Sequence, residues 1–165
     1  MNIIKRSVEL EATSFPIALV VSLFNESITT ALKEGAIQRL QERGFKKSDI
    51  LLVEVPGAIE IPITAARIAK HKQAEVIIAL GCVILGETTH YDCVFQQINY
   101  GCQRVALDYD VPVIFEVLMT ENEEQALDRI GGAHGHKGVS AADCAVDMHS
   151  ILNQLDRLGT KREHV

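Results

Sequence analysis

Val76-Ile77-Ile78-Ala79-Leu80-Gly81-Cys82-Val83-Ile84-Leu85-Gly86-Glu87-Thr88-Thr89-His90-Tyr91-Asp92 is the stretch on which the fold turns. Up to Leu85 it is apolar without alternation, the mark of a strand buried on both faces of a parallel sheet. It breaks at Gly86 and opens a helix whose first residues are Thr88, Thr89 and His90. A strand that ends in glycine and feeds a helix leaves backbone N–H groups free and pointing outward. That is an anion site, and phosphate is its usual occupant. A histidine beside it is placed to move protons while the anion is held.

Working outward, the same alternation of strand and helix recurs along the chain. Residues 17–24 are an apolar run of strand length closed by Asn25-Glu26-Ser27. Ile28, Leu32, Ala36 and Leu40 follow at helical spacing, and Gly44 stops that helix. Residues 50–55 form the next strand, closed by Pro56-Gly57. Pro62 suits a first helical turn and precedes Ile63, Ala66 and Ala69. Tyr91, Val94, Phe95, Ile98, Cys102, Val105 and Tyr109 make the clearest amphipathic stripe. Residues 113–118 are the fourth strand. Thr120-Glu121-Asn122-Glu123 has the form of a capping box, and its helix should end near Gly131. Ala141, Ala145, Met148, Leu152 and Leu155 mark a last helix. Strands alternating with helices predict a four-stranded parallel sheet covered on both faces, an α/β domain over residues 1–158, with 159–165 expected to fray. Residues 2–4 could add a short strand. No hairpin signal links them to residue 17, so this segment is expected to reach a neighbouring subunit.

Composition narrows the function classes. The chain has 165 residues, 47% apolar and 23% charged, with a net charge of −6 and no basic block. This is one domain that can bury a proper core, and nucleic acid is a poor partner for it. No secretory signal is evident, and the longest apolar run, about ten residues, is too short to cross a bilayer. Cys82, Cys93, Cys102 and Cys144 form no C-x-x-C pair and read as free thiols of a cytoplasmic protein.

Ligands of open parallel sheets bind beyond the carboxyl ends of the strands. There the chain offers Phe24-Asn25, then Pro56 to Glu60, then Gly86 to His90, with Phe115 in the fourth strand. At a helix N-terminus the His90 ring should stay neutral and basic, and a bound phosphate would push it the other way. The plainer alternative is a surface histidine without a task. Asp92 could orient His90, but Thr89-x-x-Asp92 fits a helix cap better. Arg129 and Lys137 flank the glycine-rich connector 131–138. They are either solvated groups on a flexible joint, or a guanidinium for phosphate and an ammonium for a carbonyl or anion. His134 and His136 lack a third ligand at metal spacing, so no metal site is expected. Phe24 and Phe115 could be core as readily as stacking platforms. Glu60 can accept hydrogen bonds from a polyol.

Five motifs then occur in order: Val55-Pro56-Gly57-Ala58-Ile59-Glu60-Ile61-Pro62, the run Gly81 to Tyr91, Pro112-Val113-Ile114-Phe115, Thr120-Glu121-Asn122, and Gly135-His136-Lys137-Gly138. Together, over residues 17–155, they resemble the lumazine synthase family of riboflavin biosynthesis. The resemblance implies a single three-layer α/β/α domain, flavodoxin-like. It implies condensation of 5-amino-6-ribitylaminouracil with 3,4-dihydroxy-2-butanone 4-phosphate to 6,7-dimethyl-8-ribityllumazine, without a cofactor. By resemblance, Phe24 stacks on the pyrimidine, Ala58, Ile59 and Glu60 line the ribityl chain, and Cys82, Val83 and Ile84 present backbone to the pyrimidine edge. Glu87 and Thr88 hold the phosphate and His90 transfers protons. Phe115, Arg129 and Lys137 match residues supplied by the adjacent subunit of a homopentamer. The short connector before Lys137 resembles that of members that close twelve pentamers into an icosahedral shell, and riboflavin synthase is the implied partner. Ile59, Leu85, Glu87 and Glu116 depart from the residues common in the family at those positions.

Overall fold

The central apolar runs become strands because, in their place in the sheet, they are covered on both faces, whereas the edge run 50–55 leaves Leu51 and Leu52 exposed. In the computed structural model, which describes residues 3–6, 14–87 and 90–160 without the side chains of His90 and Thr160, β1 (Ile17–Ser22) and β3 (Val76–Ile84) are the central strands. β2 (Ile50–Val55) and β4 (Val113–Thr120) are the edges, in the order β2-β1-β3-β4, all parallel. Ile17, Leu19 and Val21 face one side with Ile78, Leu80 and Cys82. They pack on Ile28, Leu32, Ala36 and Leu40 of α1 (Glu26–Glu42) and Ala141, Ala142 and Ala145 of α5 (Lys137–Thr160). Ala18 and Val20 face the other side with Ile77 and Ala79. They pack on Ile61, Ala65 and Ile68 of α2 (Ile61–Lys70) and on Val94, Ile98 and Cys102 of α3 (His90–Tyr109). The result is a three-layer α/β/α domain with a flavodoxin-like strand order.

The helix ends follow local chemistry. Past α1, Gly44 takes φ 93°, Gly44 N–H donates to Gln41 O, and Phe45 N–H donates to Leu40 O, both at 3.0 Å. Those two bonds are a Schellman motif, and only the glycine makes the left-handed turn without strain. Pro62 occupies the first turn of α2 as its fixed φ favours.

Several expectations shift on folding. The capping-box reading placed the cap at Thr120. Instead Thr120 ends β4, and Asn122 caps α4 (Glu123–Leu127), its Oδ1 accepting from Gln125 N–H at 2.9 Å while Gln125 Oε1 accepts from Glu121 N–H. That helix ends at Leu127, four residues before Gly131. The connector 131–138 is not a loose joint. β5 (Ile130–Gly132) and β6 (Gly135–His136) pair as an antiparallel hairpin, and α5 starts directly at Lys137. Residues 3–6 carry no strand, and Lys5 O accepts from Gln154 Nε2 of α5 at 3.0 Å. α5 extends through Gly159 to Thr160, and the rest of the tail lies outside the described residues.

Candidate active site

Between β1 and β3 the chain reverses its direction of travel across the sheet, and in sheets of this kind the ligand crevice lies at the carboxyl ends of the strands at that switch point. The two strands are unequal there. β1 pairs with β3 only as far as Val21 opposite Leu80, whereas β3 and β4 stay paired to Ile84 opposite Thr120. β3 therefore overruns β1 by the segment Gly81 to Ile84. Neighbouring peptides of a strand alternate sides, and Ile77 and Leu85 N–H groups donate toward β4, to Pro112 O and Thr120 O. Cys82 and Ile84 thus turn their peptide groups to the β1 side, and Val83 turns its own to β4. Asn25 Nδ2 donates to Cys82 O at 2.9 Å. No strand among the described residues pairs with Ile84 on that side. The overrun offers an open strand edge to a flat ligand with amide-like donors and acceptors.

Around this edge the loops bring their side chains. Leu23 N–H donates to Val55 O and Phe24 N–H to Ser22 Oγ, so the chain stays tied to the sheet while the Phe24 ring stands 67% exposed. A core ring would be covered, so Phe24 is free to act as a platform. Asn25 then adopts φ 57°, ψ 51° and turns the chain into α1, its carbonyl accepting from Ile28 and Thr29 N–H. Across β1, residues Ala58–Glu60 form a single 3₁₀ turn. Ala58 is buried beneath it, and Ile59 and Glu60 are exposed. Glu60 folds back over Gly57, where a Cβ would lie 2.8 Å from its Oε2. Beyond β3, Leu85, Gly86 and Glu87 are exposed, and α3 begins at His90. Thr88 and Thr89 and the His90 ring, with its relation to Asp92, lie outside the described residues.

The electrostatics assign no nucleophile here. Burial, with Glu123 adding, pushes the Cys82 thiol up to about 11, so it stays protonated and contributes backbone, not sulfur chemistry. Tyr91 lies in the first turn of α3. Burial first, then Asp92, Glu121 and Cys82, hold its phenol above the ordinary range. Asn25 and Tyr91 were given no task from the sequence, although both fall in the stretches it selects. Asn25 had a signal, since asparagine after a strand end is the side chain most at ease in a left-handed turn.

Three sequence-selected residues stand elsewhere. Phe115 is not at the carboxyl edge. It lies mid-strand in β4 opposite Ala79, half-buried on the α2/α3 face. Arg129 precedes β5, its Nη1 donating to Gln125 O at 2.6 Å. Lys137 opens α5, its N–H donating to Arg129 O at 2.8 Å. Among the described residues no hydrogen bond or ion pair joins either cation to Glu60 or Glu87. His136 is a packing residue. Its ring lies against Gly35 of α1, and its Nδ1 accepts from Val139 N–H. A cavity of about 540 Å³ also opens at the opposite pole, by Lys70, Tyr109, Pro112 and His149. It faces the amino ends of the strands, away from every loop described above.

Comparison with known proteins fits this layout. Residues 14–153 match the 6,7-dimethyl-8-ribityllumazine synthase family. Proteins named 6,7-dimethyl-8-ribityllumazine synthase from Coxiella burnetii strains CbuG_Q212, RSA 493 / Nine Mile phase I and Dugway 5J108-111 are each 49% identical over 144 residues, which is 87% of this chain and 95% of the relative.

Proposed function

Because this chain belongs to the 6,7-dimethyl-8-ribityllumazine synthase family, we propose that it is the enzyme of riboflavin biosynthesis that condenses 5-amino-6-ribitylaminouracil with 3,4-dihydroxy-2-butanone 4-phosphate. The amine condenses with the ketone to give an imine and one water, phosphate leaves, and the ring closes with loss of a second water. No electron is transferred to or from the protein. What the protein must supply is juxtaposition of two substrates and a proton route.

The observation that carries this reading is the overrun of β3. A uracil ring presents alternating N–H and C=O groups along one edge, as a β-strand does, and the open Ile84 edge lies beside the exposed Phe24. In this assignment Phe24 stacks on the ring, with Cys82 and Ile84 backbone at its edge and Val83 between them. Ala58, Ile59 and Glu60 flank the ribityl chain, with the Glu60 carboxylate accepting from hydroxyls. Gly86, Glu87 and Thr88 hold the phosphate with backbone N–H groups, and the Glu87 side chain turns outward to avoid opposing the dianion. His90, first residue of α3, transfers the protons.

Phe115, Arg129 and Lys137 complete the site from a neighbouring copy. Their distance from the Phe24–Glu60 crevice within one chain supports this division. So do the exposed Ile63, Tyr100 and Leu107 on α2 and α3, apolar surface suited to burial between copies. We assign a homopentamer, closed in twelves into an icosahedral shell. The cytoplasm is the compartment, and riboflavin synthase is the partner that takes the product. Among the described residues no helix is long and apolar enough to cross a membrane.

The test is direct. Mixing both substrates with the purified protein should generate the lumazine chromophore and one equivalent of inorganic phosphate. A correctly folded assembly that yields neither overturns the reading.

A further inference from the structure

Where β1 leaves β3, two side chains take over from the backbone. Parallel pairing is regular, so the bond that would come next can be written down at the point where the ladder stops. β1 and β3 stay in register to Val21 opposite Leu80. Leu23 N–H turns to β2 and donates to Val55 O at 2.8 Å. The next β1 donor on the β3 side is therefore Phe24 N–H, and its regular acceptor is Cys82 O. Instead, Phe24 N–H donates to Ser22 Oγ at 3.2 Å, and Cys82 O accepts from Asn25 Nδ2 at 2.9 Å. Both ends of the missing backbone bond are satisfied by side chains.

The exchange has consequences for the ring and for the strand edge. Had the ladder continued, Phe24 would be a strand residue with its side chain committed to the α2/α3 face that Ala18 and Val20 share. Outside the ladder its ring stands exposed, while its own N–H is held by a hydroxyl of the fully buried Ser22. Asn25 follows directly, in the left-handed conformation from which its carboxamide reaches β3. The ring is thus bracketed by two anchored residues, one in β1 and one tied to β3. With Cys82 O taken, Ile84 is the next β3 residue whose peptide groups turn to the β1 side, and no described strand lies beside it.

We propose that Ser22 and Asn25 are positioning residues for ring recognition: together they release Phe24 from the ladder, fix its ring against the β3 edge, and close that edge at Cys82 so that a flat ligand pairs at Ile84. The inference rests on the reading above in which Phe24 stacks on the pyrimidine. Neither side chain needs to touch the substrate. Their effect is to set platform and pairing edge in one geometry before the ligand arrives, which lowers the ordering cost of binding.

The chain contains no tryptophan, so Phe24→Trp places a single indole at the platform. The experiment uses the full chain as Phe24→Trp, alone and combined with Ser22→Ala or with Asn25→Asp. Aspartate is at ease in the left-handed turn, but its carboxylate cannot donate to Cys82 O, so it breaks the tie and spares the turn. The indole should be restrained in Phe24→Trp alone and should depolarise faster on the nanosecond scale in each combined variant. With Phe24 retained, Ser22→Ala and Asn25→Asp should each raise KM for the ribitylaminouracil roughly three- to tenfold, the effect of one lost hydrogen bond. KM for the phosphate substrate should stay within about twofold of wild type. A merely structural role would lower Tm and move neither the indole nor the ratio of the two KM values. An indole equally restrained in all three proteins, or KM values that rise together, overturns the proposal. Should the wild-type protein make no lumazine, the reaction assignment fails, and the motion of the indole still decides whether Ser22 and Asn25 hold the platform.

Discussion

Asn25 does two things that no other side chain does as well. It takes the left-handed turn between β1 and α1, and it ties that turn to β3 through the Cys82 carbonyl. An alanine would keep the φ penalty in worse form and strand the carbonyl, so Asn25→Ala should lose about 1–2 kcal/mol in urea unfolding. Asn25→Gly relaxes the turn but not the tie, and its loss should be smaller. Equal losses for the two would mean that the left-handed turn carries no weight. Thiol chemistry offers a second check at this scale. Burial pushes Cys82 up to about 11 and Cys102 up to about 12, while Cys93 is exposed. At pH 8 a thiol reagent should label Cys93 in the native protein and reach Cys82 and Cys102 only on denaturation. Rapid native labelling of Cys82 would contradict the buried strand end. Of the proposed site residues, those whose place at the carboxyl edge was legible in the sequence were the ones whose setting is local. Phe24 follows a strand, and Glu60 follows Pro56-Gly57. The Asn25–Cys82 bond was illegible because its partners are far apart in sequence, and the position of Phe115 because register is a property of two strands.

Helices and strands were legible to the degree that burial wrote them. β1 and β3 are buried on both faces and appear as unbroken apolar runs, and the stripe of α3 appears at its true spacing. The start of α5 was not visible, because Gly138 looks like a breaker. Its real task is close approach. A Cβ there would stand 2.1 Å from Leu32 O, so Gly138 lets α1 and α5 cross backbone to backbone. Two salt bridges reinforce the same crossing, Arg39 and Arg43 both donating to Asp143 Oδ1 at 2.9 Å. Backbone cannot swing aside as a side chain can, so Gly138→Ala should force the helices apart. We expect a loss of about 2–3 kcal/mol and a Tm lower by roughly 5–10 °C. Gly159→Ala is the control, with open space around it, and should be neutral or stabilising by up to about 1 kcal/mol. Calorimetry on the pair decides the matter. A Gly138→Ala protein as stable as wild type would mean the crossing is looser than described. The hairpin β5–β6 escaped sequence reading for a related reason: its strands are too short to show a period, and it is held by its seat on α1, where the His136 ring covers Gly35.

At the scale of the molecule the sequence-selected residues fall into two groups that one chain does not join. Phe24, Ala58, Glu60 and the β3 overrun face the crevice at the carboxyl edge. Phe115, Arg129 and Lys137 sit along β4 and the start of α5. A site shared between copies makes a prediction that a self-contained site cannot. His90→Ala damages one contribution and Arg129→Ala the other, so each homogeneous assembly should turn over slowly. In a mixed ring, an interface where the Arg129→Ala copy supplies His90 and the His90→Ala copy supplies Arg129 is wild type throughout. Random mixing makes on the order of a quarter of the interfaces of that kind. Co-expressing the two variants, or dissociating and reassembling them together, should recover activity to roughly that fraction of wild type, well above the mean of the separate variants. The recovery should depend on subunit exchange, so intact assemblies mixed without dissociation should show none. If co-assembled proteins, verified as hybrids by mass spectrometry, remain as slow as their parents, the two groups do not meet across a subunit boundary, and Arg129 and Lys137 must be given another task.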